Sequence, residues 1–103
     1  MVLFVLEYTI LPEKEDDYTQ YVKTVLLPYI QTVPGLLELR GYRDYTSGRA
    51  HVTMEFESCM SWGDYMHHPK TKEVMTTSRA FTRDLTWNVW EESPITPVPI
   101  DPI

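Results

Sequence analysis

The sequence predicts an α+β domain of the ferredoxin-like, split βαβ kind: a four-stranded antiparallel sheet with helices on one face. Three observations lead to it. The hydrophobic periodicity changes along the chain in the order β-α-β-β-α-α-β, with short connections throughout. The link Thr46-Ser47-Gly48-Arg49 is a short turn, which makes the second and third strands an antiparallel hairpin. The 103 residues suffice for one two-layer core and not for two.

Val2 to Ile10 alternates strictly, and both of its faces are apolar in the first half, as in an interior strand with something packed on each side. Leu11-Pro12 ends it. A helix starts near Glu13, where Glu13, Glu15, Asp16 and Asp17 crowd the positive end of its dipole. Its apolar stripe is Tyr18, Tyr21, Val22, Val25, Leu26, Tyr29 and Val33. Pro28 lies in that stripe, and its ring would meet the carbonyl of Thr24, so a kink or restart is expected. Pro34-Gly35 closes the helix.

Leu36 to Tyr45 is the second strand, with Leu37 and Leu39 on one face and Glu38, Arg40 and Tyr42 on the other. Gly41 in its middle signals a bulge or a close backbone approach. From Ala50, Val52, Met54 and Phe56 alternate with His51, Thr53 and Glu55 until Ser58 interrupts them. A short aromatic helix then carries Trp62, Tyr65 and Met66. Pro69 suits the first position of the next helix, Lys70 to Phe81. Asp84 to Glu92 is the fourth strand, with Leu85, Trp87 and Val89 opposed to Thr86, Asn88 and Trp90. The domain is thus expected over 1–92. Residues 93–103 form a tail with four of the eight prolines, extended, PPII-like or disordered, and apolar enough to lie as an arm on its own domain or a neighbouring subunit.

Helices cover one sheet face only. The first strand is apolar on both, and Leu36, Tyr42 and Trp90 are expected to point away from the helices. A second sheet packed there would hide them, which predicts a homodimer. The net charge of −6 disfavours nonspecific nucleic-acid binding. No apolar run approaches the roughly 20 residues of a membrane span, and the opening MVLFVLEYTI reads as a strand rather than a signal peptide. Cys59 is the single cysteine, so no intrachain disulfide forms and a reducing cytoplasm is the expected compartment. An aromatic content of 13% points to an aromatic-lined pocket or a sizeable interface.

A first strand ending at a proline, an acidic amphipathic helix, VPGLLELRGYRD, a strand ending FES, then an aromatic helix and a proline together resemble the antibiotic-biosynthesis-monooxygenase family of dimeric α+β barrels. The resemblance covers the chain up to about Glu92. LEYTILPEKEDDYTQYV, with LLPYI after it, is also similar to the sister NIPSNAP-like family, which shares the fold. The first resemblance implies a pocket between sheet and helices in each subunit. There a cofactor-independent oxygenase desolvates an aromatic polyketide or quinol, helps remove its proton, and lets its carbanion-like form react directly with dioxygen. The same barrel hosts isomerases, cyclases, haem degraders and non-catalytic binding or structural modules. The haem-degrading branch requires an Asn late in the first strand and a His ligand on the later helix. Leu6 and Tyr8, and Val74 and Met75, stand at those places, which argues against haem.

Against that background each candidate carries two readings. Trp62 and Tyr65 share a helix face with Met66, as core packing or as a pocket wall in which the Tyr65 hydroxyl donates to a substrate oxygen. His67 and His68 are neighbours, about 100° apart on a helix, so they cannot serve one metal site, which wants i, i+4 spacing. Either sits at a solvated helix end or acts as a general base, having the right intrinsic pKa. Phe4, Tyr8 and an inward Trp87 line the pocket or fill the gap. No metal site is expected from these residues, and no cofactor.

Overall fold

A computed structural model describes residues 1–95 of the chain; the expected proline-rich arm lies, from residue 96 onward, outside the described residues. Strand β1 (Val2–Ile10) is central. It pairs antiparallel with β3 (Arg49–Phe56) on one side and β4 (Thr82–Glu91) on the other, and β2 (Leu36–Arg43) adds to β3. The sheet order is β2-β3-β1-β4, the expected α+β arrangement.

Register explains which residues meet. Phe4 pairs with Met54, Leu6 with Val52 and Tyr8 with Ala50, so the helix-facing rows of β1 and β3 run side by side. Across the other edge Phe4 lies beside Val89 and Leu6 beside Trp87. Phe4 and Phe56 are wholly buried, and with Val2, Met54, Ile30 and Tyr65 they form the core. Trp62 and Trp87 flank Phe4, with ring centroids 5.8 and 5.7 Å away, and plug one end of the gap between helices and sheet.

The first helical rod starts with a 3-10 turn, Pro12–Lys14, and continues as α1 (Glu15–Tyr21), a π-helical segment Val22–Leu26, and α2 (Leu27–Ile30). Pro28 causes the π segment. It has no N–H to offer the Thr24 carbonyl and its ring crowds that oxygen. The turn before it widens instead, and the Leu27 N–H reaches Val22 O, five residues back. Neither break nor restart is needed. The rod ends at Ile30, short of the expected Pro34-Gly35 stop. Gly35, with φ 78°, sits in the turn before β2, where a Cβ would collide with the Ser61 side chain, while the Gly35 carbonyl accepts from Glu57 N–H at 2.9 Å.

Two expectations about β2 are corrected. The bulge lies at Leu37, not Gly41: Leu36 pairs with Phe56 and Glu38 with Glu55, leaving one extra residue on β2. The bulge shifts the alternation by one, so Leu36 faces the core and Leu37 is 57% exposed. At Gly41 no backbone approaches; a Cβ there would meet nothing within 4 Å. A second shift, between Glu7 and Thr9, falls where Asp84 adopts a left-handed φ of 56° on β4.

Ser58 caps α3 (Cys59–His67), its Oγ accepting from Ser61 N–H at 3.1 Å. His68 ends α3 and caps α4 (Pro69–Ser78), in which Pro69 takes the first position as expected. No helix among the described residues is long and apolar enough to cross a membrane.

Candidate functional site

Between helices and sheet, at the end away from the tryptophans, a cavity of about 380 Å³ remains open. Its floor is Leu6, Tyr8 and Ile10 of β1, Ala50, Val52 and Met54 of β3, and Leu39 and Gly41 of β2. The roof comes from the first rod (Tyr18, Val22, Leu26, Leu27, Ile30), from Tyr65 of α3 and from Val74, Met75 and Ser78 of α4. The π segment sets Val22, Leu26 and the following Leu27 along this wall together. The volume suits a small aromatic ligand, within the usual range of such sites.

Polar chemistry in this apolar space is sparse and specific. The hydroxyls of Tyr8 and Tyr18 are hydrogen-bonded to each other at 2.5 Å. That bond uses one of their two protons and leaves the other free to donate to a ligand oxygen. Burial pushes the Tyr8 phenol up, opposed by its bond to Tyr18 and by the positive charge of Arg43. Tyr18 is pushed up further, by burial first and then by Tyr8. Tyr65 is only 8% exposed, and burial raises its hydroxyl to about 12. No hydrogen-bond partner meets that hydroxyl among the described residues, so it too is a donor in waiting. All three phenols are protonated at neutral pH.

Arg43, the last residue of β2, stands at the cavity edge. Its Nη1 donates to Glu15 Oε1 at 2.9 Å and its Nε to the Gly48 carbonyl at 3.2 Å. The turn that positions it is tied down by Asp44, whose carboxylate accepts from Thr46 N–H and Oγ–H, both at 2.8 Å. Those bonds hold the Asp44 carboxyl down at about 2.

Of the residues singled out from sequence, Tyr8 and Tyr65 line the cavity. Phe4, Trp62 and Trp87 are brought together beside it, in the plugged end, where the Trp62 indole N–H is buried without a partner. Neither histidine lines the cavity. His67 donates through Nδ1 to the Gly63 carbonyl of its own helix at 2.7 Å, and the Nδ1 of His68 accepts from Lys70 N–H at 3.0 Å. No group of three or more His, Cys, Asp or Glu able to hold a metal occurs among the described residues. Tyr18, Gly41 and Arg43 were not marked as site residues by sequence reasoning. Tyr18 carried a signal it shares with Tyr21 and Tyr29, a hydroxyl in an apolar helix stripe, which must find a partner when buried.

Sequence comparison finds no match to a family model and none among curated proteins. Structure comparison does find relatives. A Deinococcus radiodurans protein proposed to be an antibiotic biosynthesis monooxygenase superposes with a TM-score of 0.79 at 13% identity, over 95% of this chain and 98% of that one. A monooxygenase of Streptomyces coelicolor, solved with nanaomycin D, gives 0.73 at 13% identity, over 94% and 92%. A point variant of a cofactor-independent oxygenase from Streptomyces nogalater gives 0.72 at 13% identity, over 94% and 97%. At such identities the likeness is one of fold, and the fold of this chain is that of the antibiotic biosynthesis monooxygenase structures.

Proposed function

We propose that the chain is a cofactor-independent oxygenase of anthrone- or quinol-type aromatic substrates, with its reaction in the cavity under the Tyr8–Tyr18 pair. The observation that carries this is an apolar space of aromatic-ligand size with unspent phenol donors. An anthrone-type substrate loses a proton from carbon to water at the open mouth. The enolate oxygen so formed accepts from the free Tyr8/Tyr18 proton and from Tyr65, donors already in place and poorly solvated. The electron-rich carbon combines with dioxygen, and the resulting hydroperoxide eliminates water. Substrate CH2 and O2 thus become C=O and H2O, with no further oxidant.

Oxygen uptake on a panel of anthrones and naphthoquinols tests the reading. Tyr8→Phe and Tyr18→Phe should each lower kcat at least about tenfold, since a lost oxyanion donor costs that or more. His67→Ala and His68→Ala should match the parent, because both rings are engaged outside the cavity. If neither tyrosine variant changes turnover, the phenol pair has no catalytic part.

One observation favours a second reading, a non-catalytic binding module: among the described residues no carboxylate or imidazole lines the cavity to take a substrate proton. Tight binding of the same quinols without oxygen uptake would identify it. Under either reading the working unit is a homodimer through the outer sheet face, where Leu3 of β1 lies beside Trp90 of β4 and Trp90 is 60% exposed. The lone, exposed Cys59 suits a reducing cytoplasm.

A further inference from the structure

Resting on the reading of the cavity as a ligand site, we infer that it selects aromatic molecules bearing an acidic group, which Arg43 binds after parting from Glu15. Among the described residues, Arg43 is the only charged one lining the cavity. No carboxylate among the described residues lines the cavity, yet the chain as a whole carries −6, so an anionic ligand needs a local cation to enter. Arg43 is free to serve. Its pair with Glu15 joins side chains 46% and 47% exposed, and water screens such a surface pair so that it holds only weakly. A two-pronged bond to an oxyanion at an apolar wall is stronger, and the guanidinium has donors to spare.

Space agrees with charge. Gly41 lies two residues before Arg43 on the same row, and a Cβ there would enter open space. Ala50, the cross-strand partner of Arg43, is also small. A flat ring can therefore lie on the Gly41–Ala50 floor with its acidic substituent at Arg43. The charge of Arg43 is felt by both Tyr8 and Tyr18, so such a ligand reaches the phenol pair as well. Glu15 becomes a built-in competitor for the ligand anion.

Two fluorescent probes with nearly the same rings separate charge from shape: anilinonaphthalene sulfonate, which is anionic, and phenylnaphthylamine, which is neutral. Each is titrated into the full chain and into Arg43→Gln, Glu15→Gln and Gly41→Phe, all checked for an unchanged thermal midpoint. Arg43→Gln should weaken the sulfonate about tenfold and the neutral probe less than about twofold. Glu15→Gln should tighten the sulfonate about threefold, a change a merely structural role would not produce. Gly41→Phe should weaken both. Equal effects of Arg43→Gln on the two probes, weaker sulfonate binding in Glu15→Gln, or sulfonate binding indifferent to Gly41→Phe would each overturn the inference. No oxidisable substrate is involved, so charge selectivity without oxygen uptake overturns the oxygenase reading alone.

Discussion

Tyr65 joins stability to the site through one atom. Its ring packs on Phe56 at a centroid distance of 5.4 Å, while its hydroxyl has no hydrogen-bond partner among the described residues. The folded phenol titrates near 12 rather than 10, so the neutral form is favoured in the fold by about 3 kcal/mol. The sign follows: that stability is complete below pH 10 and is lost as the pH rises through 12. Thermal midpoints of Tyr65→Phe should fall less between pH 10 and 12 than those of the parent. At neutral pH the variant should lie within about 1 kcal/mol of it, since no hydrogen bond is removed. Identical alkaline slopes would place the titration elsewhere. The ring was legible from its helical spacing with Trp62. The loneliness of its hydroxyl was not, because spacing identifies a face and not what stands opposite. For the histidines a near-neutral intrinsic pKa draws attention, while the local backbone groups that engage both rings are not legible from sequence.

Among the elements, the strands were the more legible. Alternation alone identifies Met54 and Phe56 as core, since β3 has one apolar face; β1 is apolar on both, and its pairing with β3 is what places Phe4 beside Met54. The Leu37 bulge escaped, because one inserted residue reverses the alternation without changing composition. The cavity was hardest to foresee. It exists where side chains are small, at Gly41 and Ala50, and hydrophobic patterning cannot distinguish a filled face from an empty one. The link between α2 and β2 is tightly determined by contrast. Gly35→Ala must adopt an unfavourable φ and displace Ser61, so it should cost at least about 2 kcal/mol. Chemical denaturation reads this directly, and an unchanged midpoint would mean that the α3 N-terminus yields easily. Ser58→Ala, which removes the cap of that helix, should cost about 1 kcal/mol by the same measurement.

At the scale of the whole molecule, the sheet has one covered face and one bare one. Leu3 and Val5 sit on the bare face among polar neighbours, with Tyr42 and Trp90 more than half exposed. The ionic groups there are largely paired within the chain: Arg40 with Glu38, and His51 with Glu7 at 2.8 Å. A second copy would therefore meet a surface of satisfied charges and unsatisfied aromatics. Sedimentation equilibrium should find a dimer, and Trp90→Arg should weaken it roughly 30-fold or more, as expected of an aromatic anchor. A parent protein that stays monomeric at high concentration would contradict this. The apolar doubling of β1 was visible in the sequence; that β4 lends Trp87 to one face and Trp90 to the other followed from alternation as well.

The π segment in the first helical rod has a consequence of phase. Each of its hydrogen-bonded rings encloses one residue more than an α turn. Deleting a single exposed residue there, such as Lys23, would remove the extra residue of the widened turn, although Pro28 would still crowd the Thr24 carbonyl. It would also swing everything before Val22 by about 100° relative to Pro28. Tyr18 would turn away from Tyr8, and the two hydroxyls would lose each other. The cavity would lose its paired phenol donor and keep Tyr65.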